Sequence, residues 1–316
     1  MDVVGIDISK NSFDASWVEL GQAQHQSYEY TDEGIEQFIG QTPSNVCYVM
    51  EATGIYHTRL ALKLYEARRE VSVVNPLVIK RFSQMQLSRV KSDKADARLI
   101  RQYGEGNELT YWSPSTAEIL ELQQAHGWLN DLIGERTRLK NRQEAHTQQA
   151  RSSSFVKKQM VHQLKQLNHQ IKDCETHLKV IVKKSFEDLY ERLLTIPSIG
   201  PKTAIELLII TNGFQRFDEV KALSAYVGVS PTTFQSGTSV KGRGGIAKMG
   251  SGRIRQLLYM CSWTAKYCNP SCVELNARLK AQGKPAKVIN IAIAHKLLRQ
   301  AFAVATKNQR YSEEYA

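Results

Sequence analysis

The first 111 residues alternate short apolar runs with amphipathic stretches. The runs typical of strands are Val3–Ile8, Phe13–Leu20, Gln24–Tyr30, Val46–Met50 and Val71–Val74. Residues 32–39 and 55–70 place apolar side chains near helical spacing, which favours helices. The order strand, hairpin, helix, strand, helix, strand, helix predicts a mixed sheet flanked by helices. This α/β pattern fits an RNase H-like domain.

Residues 115–194 have a different pattern, with almost no Gly or Pro and recurring Leu and Ile at helical spacing. We expect two long helical arms. A break near 151–154 would let them fold back as an antiparallel hairpin. Exposed heptad-like seams often dimerise, so a coiled coil is one interpretation, and a monomeric helical spacer is the other.

The last third is predicted to be mostly helical, with helices near 221–227, 253–267 and 286–307. It opens with an apolar helix end, the turn Ile196-Pro197-Ser198-Ile199-Gly200 and a second helix carrying Lys202. Free N–H groups at such a helix start bind a phosphate in helix-hairpin-helix motifs. A plain turn between two helices is the alternative.

Composition and charge bound the class of protein. The chain has 316 residues, enough for two domains, and we divide it at 1–111, 112–192 and 193–316. The sequence shows neither an apolar run near membrane-spanning length nor a signal-peptide layout, so we expect a cytoplasmic protein without a membrane partner. Five cysteines without CxxC spacing are expected to be reduced packing residues.

The net charge of +11 is concentrated in one region. Residues 193–316 hold 17 Lys and Arg against 6 Asp and Glu, whereas residues 1–111 hold 12 against 15. A region this basic suits a polyanion, because each phosphate that Lys or Arg neutralises releases counterions. Solubility alone could also explain the excess.

Four carboxylates in the first third are candidate metal ligands and catalytic residues. Asp7 interrupts an apolar strand, Glu51 ends another, and Asp93 and Asp96 lie three apart, on one face of a helix. Hard oxygen ligands of this kind suit Mg²⁺. Each acid also has a structural interpretation as a helix cap or ion pair. The basic side chains nearby that would suit a nucleic-acid backbone are Lys80, Arg81, Arg89, Lys91, Lys94, Arg98 and Arg101.

Asp7 has a second interpretation in the actin and sugar-kinase fold, whose first strand also carries an acidic phosphate loop. The sequence contains no second glycine-rich nucleotide loop and no GxxxxGK[ST] motif, which weighs against it.

The segment 235–255 combines glycines with five basic residues and no acid. Glycines permit close backbone approach, and cations stabilise a phosphodiester during reaction. Ser236 is the candidate nucleophile, although serines in such loops are more often turn or phosphate-contact residues. The candidate nucleic-acid contacts are Lys241, Arg243, Lys248, Arg253 and Arg255.

Together these motifs resemble the DEDD transposases of bacterial insertion sequences, which are related to the Piv pilin-gene invertase and are bridge-RNA-guided recombinases. The resemblance spans nearly the whole chain. It depends on Gly5-Ile6-Asp7-Ile8-Ser9-Lys10, Glu51-Ala52-Thr53-Gly54, Lys91-Ser92-Asp93-Lys94-Ala95-Asp96-Ala97, Ile196-Pro197-Ser198-Ile199-Gly200-Pro201, and Ser236-Gly237 followed by residues 244–250.

The resemblance implies a RuvC-like domain that binds Mg²⁺ through Asp7, Glu51, Asp93 and Asp96, and a coiled coil leading to a transposase domain. It implies that Ser236 attacks DNA and becomes joined to the cut strand. It further implies a structured guide RNA that pairs with donor and target DNA, and a homodimer or tetramer whose subunits share active sites.

Two other functions remain open from sequence. In a RuvC-like structure-specific endonuclease, water activated by metal would cut branched DNA and Ser236 would only contact phosphate. A non-catalytic nucleic-acid-binding scaffold would use the helix-hairpin-helix and leave the acidic site inactive.

Overall fold

The computed structural model describes residues 2–52, 54–87, 92–232, 235–236, 240–241, 245–247 and 250–312. The chain folds into two compact units, residues 1–114 and 115–316. The division of the second unit into an arm and a transposase domain at residue 192 stays a prediction.

Unit 1 contains a five-stranded mixed sheet, which confirms the α/β prediction. Its strands are β1 (Val3–Ile8), β2 (Ser12–Glu19), β3 (Gln22–Glu29), β4 (Cys47–Glu51) and β5 (Glu70–Val74). They lie in the order β3-β2-β1-β4-β5. The first three form an antiparallel meander, and β4 and β5 continue the sheet parallel to β1.

Helices cover both faces of this sheet. They are α1 (Asp32–Gln41), α2 (Tyr56–Glu66), α3 (Pro76–Met85) and α4 (Asp93–Gly106). Successive strand residues point to opposite faces. Ile6 and Met50 therefore join one apolar core with Phe38 of α1, whereas Val49 joins a second core with Ile100 of α4. Helix α2 ends at Glu66, whereas the sequence predicts a helix as far as residue 70. Arg68, just after the helix, adopts the left-handed φ of 58°.

Unit 2 begins with two long helices, α5 (Ala117–Thr147) and α6 (Ser154–Ser185). They run antiparallel, because Arg136 contacts Asn168 at 3.4 Å and Glu121 pairs with His177 at 3.0 Å. Leucines such as Leu132 are buried between them and the rest of the unit. The predicted hairpin of arms is therefore present.

The remaining helices of unit 2 surround one apolar core. They are α7 (Glu187–Leu194), α8 (Pro201–Thr211), α9 (Val220–Val227), α10 (Gly252–Cys268), α11 (Pro270–Ala281) and α12 (Ala286–Thr306). Helix α11 was missed in the sequence because the α10–α11 junction is a single capping residue, Asn269. Helix α12 is long and apolar enough to cross a membrane, but its buried residues pack against α10 and α11, as in a core helix.

Four two-residue strands lie between α9 and α10. They are β6 (Pro231–Thr232), β7 (Gln235–Ser236), β8 (Val240–Lys241) and β9 (Gly245–Ile246). β6 pairs with β9, and β7 pairs with β8, both antiparallel. The predicted glycine-rich segment 235–255 thus contains β7, β8 and β9, whereas β6 precedes it.

Candidate active site

Asp7 lies near the carboxyl end of the central strand β1, on the face covered by α4. Val3, Gly5 and Asp7 share that face, because alternate strand residues do and Val3 packs in the α4-side core. Asp7 is only partly buried, whereas both of its neighbours in the strand are buried. Its carboxylate therefore emerges at the edge of an otherwise apolar layer.

Two glycines let α4 cross β1 at very close range. A Cβ at Gly5 would lie 2.2 Å from the backbone N of Arg101, and a Cβ at Gly104 would lie 2.8 Å from Cγ1 of Val3. Because Gly5 lies against Arg101 and Gly104 lies against Val3, α4 is antiparallel to β1. The start of α4, with Asp96, therefore lies over the carboxyl end of the strand.

The other two predicted acids come to the same end of the sheet. Glu51 is the last residue of β4, which is parallel to β1 and beside it. Asp93 is the first residue of α4, whose N-terminus is capped by the hydroxyl of Ser92 accepting from the Ala95 N–H at 3.3 Å. Two strands and one helix thus bring all four acids to one region.

The acids influence one another electrostatically. Burial first, and then the charges of Asp96, Asp93, Glu51 and Asp14 in that order, together raise the pKa of Asp7 to about 6. Burial, and then the charge of Asp96, also raises the pKa of Glu51. Among the residues that the structure describes, every charged neighbour that shifts the pKa of Asp7 is a carboxylate, so a bound cation would relieve the site.

Asp14 is a fifth acid that the sequence analysis missed. It is the register partner of Asp7 across β1 and β2, and it is only 8% exposed. Nε2 of His25 lies 2.8 Å from its Oδ1, and Ser27 lies within 3.5 Å of the other oxygen. The available signal was a charged residue, Asp14, near the start of the strand-like run Phe13–Val18.

The donor set fits a hard divalent cation, although the acids do not close around one point. No three His, Cys, Asp or Glu side chains within the described residues are arranged to hold a metal ion. Mg²⁺ commonly takes only one or two protein carboxylates and completes its octahedron with water and substrate phosphate. The carboxylates present are therefore compatible with such a site.

The two ends of the segment that carries Ser236 are held together by contacts with neighbouring residues of unit 2. The Ala247 N–H donates to the Ser230 carbonyl at 3.1 Å. A Cβ at Gly250 would lie 1.5 Å from the Tyr226 carbonyl oxygen, so only glycine fits there. Nη1 of Arg255 donates to the carbonyls of Val227 and Gly250, each at 2.8 Å.

Within this closed segment, Ser236 lies in β7 opposite Val240, and Gln235 lies opposite Lys241. The structure therefore places the Ser236 and Lys241 backbones on neighbouring short strands. Four of the basic residues predicted to contact nucleic acid lie outside the described residues: Arg89, Lys91, Arg243 and Lys248.

Comparison with known proteins identifies the family of this arrangement. A model described as Transposase matches residues 4–152, and one described as Transposase IS116/IS110/IS902 family matches residues 190–275. The chain belongs to the IS110 transposase family. The first match contains the four acids and the second contains Ser236, so both candidate centres lie in transposase domains. A DEDD-type transposase domain implies use of a divalent metal.

Curated relatives match over nearly the full length. The pilin gene-inverting proteins of Moraxella lacunata and Moraxella bovis are each 29% identical, over 98% of this chain and 97% of theirs. The transposase for insertion sequence element IS1328 of Yersinia enterocolitica is 22% identical, over 98% of both chains. These relatives support a DNA recombination enzyme.

The predicted nucleic-acid contacts of this transposase fall into two groups. Lys94 and Arg98 on α4 and Lys202 on α8 are exposed. Gly200 is the N-cap of α8, and no side chain caps that helix. Arg255, in contrast, has its guanidinium on two backbone carbonyls at the base of the serine segment. Its observed role is structural.

Arg253 belongs to a buried network that the sequence analysis also missed. Its Nε lies 2.9 Å from Oε2 of Glu206, which is 6% exposed, and its Nη2 lies 3.2 Å from Nε2 of His126. Nδ1 of His126 lies 3.2 Å from the same Glu206 oxygen. Burial, and then the charge of Arg253, lowers the pKa of His126 to about 4, so the ring is neutral. This network joins α5, α8 and α10. Because residues 126, 206 and 253 are far apart in the sequence, their contact is visible only in the structure.

Proposed function

We propose that this transposase is a recombinase of an insertion sequence that cuts and rejoins DNA through a covalent bond to Ser236, with Mg²⁺ at the carboxylate cluster. The observation that supports this most strongly is that the charges that shift the pKa of Asp7, within the described part of the chain, are all carboxylates. Acids that only stabilised the fold would have cationic partners. DNA in the cytoplasm is the expected substrate.

Asp7, Glu51, Asp93 and Asp96 would hold the metal, with Asp14 as an additional negative charge beside them. When bound, Mg²⁺ supplies Lewis-acid polarisation and charge neutralisation at the scissile phosphate. The backbone of Ser236 lies in the short strand β7, within a segment whose base is held by hydrogen bonds, and such a backbone would favour attack from a defined position.

The reaction is a transesterification. A bond forms between Ser236 Oγ and phosphorus as one ester bond of the DNA backbone breaks. The proton lost by serine balances the proton gained by the released DNA hydroxyl. Attack by a second DNA hydroxyl then reverses the exchange and rejoins the strand, so bond energy is conserved and ATP is unnecessary. Lys241, Arg243 and Lys248 would offset charge that develops on the phosphate.

The other parts of the chain would organise nucleic acids and subunits. The exposed N-terminus of α8, with Gly200 and Lys202, suits one backbone phosphate as in a helix-hairpin-helix. The α5–α6 hairpin suits coiled-coil association into a homodimer or tetramer, with acids of one subunit meeting Ser236 of another. A structured bridge RNA would select donor and target DNA by base pairing, so the protein need only contact backbone and shape.

The experiment compares wild type, Ser236→Ala and Ser239→Ala in the full-length protein with guide RNA and Mg²⁺. A denaturing gel detects a protein-linked DNA strand, and the adduct peptide is identified by mass spectrometry. Because the nucleophile is removed, Ser236→Ala should lose the adduct and strand exchange by at least about a hundredfold, while Ser239→Ala keeps both.

An adduct that persists in Ser236→Ala would contradict the assignment of the nucleophile. Free DNA ends without any adduct in wild type would instead support the metal-dependent endonuclease. Wild-type cleavage that continues in excess EDTA would contradict the metal site.

A further inference from the structure

A groove along α12 brings unpaired cations together in unit 2. It has a volume of about 510 Å³ and lies between α9, α11 and α12. Arg278, Lys296 and Arg299 line it, and none of the described residues that line it is acidic. Its apolar part consists of Val220, Leu275, Ala292, Phe302 and Ala303.

These three cations differ from other arginines in unit 2. Arg253 pairs with Glu206, Arg255 donates to backbone carbonyls, and Arg216 lies over the Tyr226 ring at 4.6 Å. Arg278, Lys296 and Arg299 form no ion pair with any part of the chain that the structure describes. Their charges are therefore available to a ligand.

The local sequence keeps the groove positive. Residues 275–312 contain eight Lys and Arg and no Asp or Glu. Lys296 and Arg299 lie three apart on α12, so both point to one side of the helix. Glu219 and Glu274 directly precede the lining residues Val220 and Leu275, but neither forms an ion pair with the three cations.

Polar contacts hold the walls of the groove in place. Nε2 of His295 lies 3.0 Å from Oγ of Ser224, which joins α12 to α9. Gln300 is buried and exchanges hydrogen bonds with Asn269 and Ser271, which join α12 to the start of α11. Since burial and then Arg299 lower the pKa of His295, that ring serves as a neutral contact. A site with fixed walls loses less entropy on binding.

We propose that this groove binds the phosphodiester backbone of a single nucleic-acid strand, with Arg278, Lys296 and Arg299 on phosphates and the apolar part against sugar or base. The inference rests on the proposed function, since it assumes a nucleic-acid complex. It adds a contact site separate from the serine segment and from the start of α8. Guanidinium groups suit phosphate because their N–H donors match its oxygens.

The test compares full-length wild type with the triple variant R278Q/K296Q/R299Q. The matched control is K280Q/K284Q/K287Q, three exposed lysines of the same stretch that lie outside the groove. Both variants lose the same charge. Affinity for short single-stranded RNA, single-stranded DNA and duplex DNA of arbitrary sequence is measured across salt concentrations. The double variant R278Q/R299Q, which changes only exposed residues, replaces the triple variant if that does not fold.

The groove variant should bind a single strand on the order of tenfold more weakly at physiological salt, and its slope of log K against log salt should be smaller by roughly 2, because about 0.7 is lost per phosphate contact. The control should keep the wild-type slope. Whether the groove variant loses affinity for single-stranded RNA or for single-stranded DNA identifies which nucleic acid the groove binds. Equal behaviour of groove variant and control with every single-stranded probe would overturn the proposal.

The adduct assay separates the two proposals. If the adduct depends on Ser236 and the groove variant binds nucleic acid as the control does, only the groove proposal is contradicted. Weakened binding by the groove variant together with an adduct in Ser236→Ala would remove only the catalytic assignment.

Discussion

Two acidic sites, one in each unit, differ in what surrounds the carboxylate. In unit 2, Glu206 accepts from Arg253 and from neutral His126, so its charge is balanced within the protein. In unit 1, the charges that shift Asp7 are four other carboxylates. The balanced acid stabilises a helix junction, whereas Asp7 keeps an unfavourable charge that a ligand can relieve. The comparison indicates that the charged neighbours of a carboxylate help to distinguish a functional acid from one that only stabilises the fold.

The largest effect on stability is expected at the balanced site. Glu206→Gln removes the charge that Arg253 faces and should lower the free energy of unfolding by about 3 kcal/mol, near the lower end for a broken buried pair, since Arg253 is partly exposed. Urea unfolding measures this. The exposed Glu191→Gln is the control, and an equal, small change in both variants would show that the network contributes little.

A second effect concerns acid. The folded-state pKa of His126, about 4, lies below its ordinary value of 6.5, so the unfolded chain binds the proton first as the pH falls. The stability that neutral His126 provides is complete above about pH 6.5 and is lost as the pH falls toward 4, at about 1.4 kcal/mol per pKa unit.

Unfolding free energies of wild type and His126→Gln across this pH window test the effect. The difference between them should shrink as the pH falls, because only wild type loses the contribution of neutral His126. The titration of Glu206 is present in both proteins and therefore cancels in the difference. The exposed His169→Gln serves as control. A difference independent of pH would mean that His126 is not neutral in the fold.

A smaller change of opposite sign is expected at the site in unit 1. Without divalent metal, Asp7→Asn removes the cost of a partly buried charge and its repulsion by neighbouring carboxylates, and should raise the free energy of unfolding by about 1 kcal/mol, after allowance for solvent screening. The same variant should lose DNA cleavage. Destabilisation by Asp7→Asn in the presence of EDTA would show that the carboxylate has a stabilising partner.

The sheet was predictable from sequence because its apolar runs alternate and are separated by clear turns. The helical arms were predictable from their uninterrupted periodicity. Helix α11 was not, since one residue, Asn269, ends α10 and caps the next helix.

The four acids could be selected because each interrupts or ends an apolar element, but their common location depends on how α4 crosses β1 at Gly5 and Gly104. Asp14 and Glu206 were missed because their partners are far away in sequence or across a strand pair. The structural role of Arg255 was hidden for the same reason, since its acceptors are backbone carbonyls, which leave no sequence signal.

The central claim, that the acids of unit 1 form a metal site, is tested most directly by thermal unfolding of metal-free wild type and Asp7→Asn during titration with Mg²⁺. Wild type should gain stability with rising Mg²⁺, by about 2.7 kcal/mol at a hundred times the dissociation constant, and should lose it again in EDTA. Asp7→Asn should start higher and respond little. Equal stabilisation of both proteins by Mg²⁺, or none in either, would contradict the account.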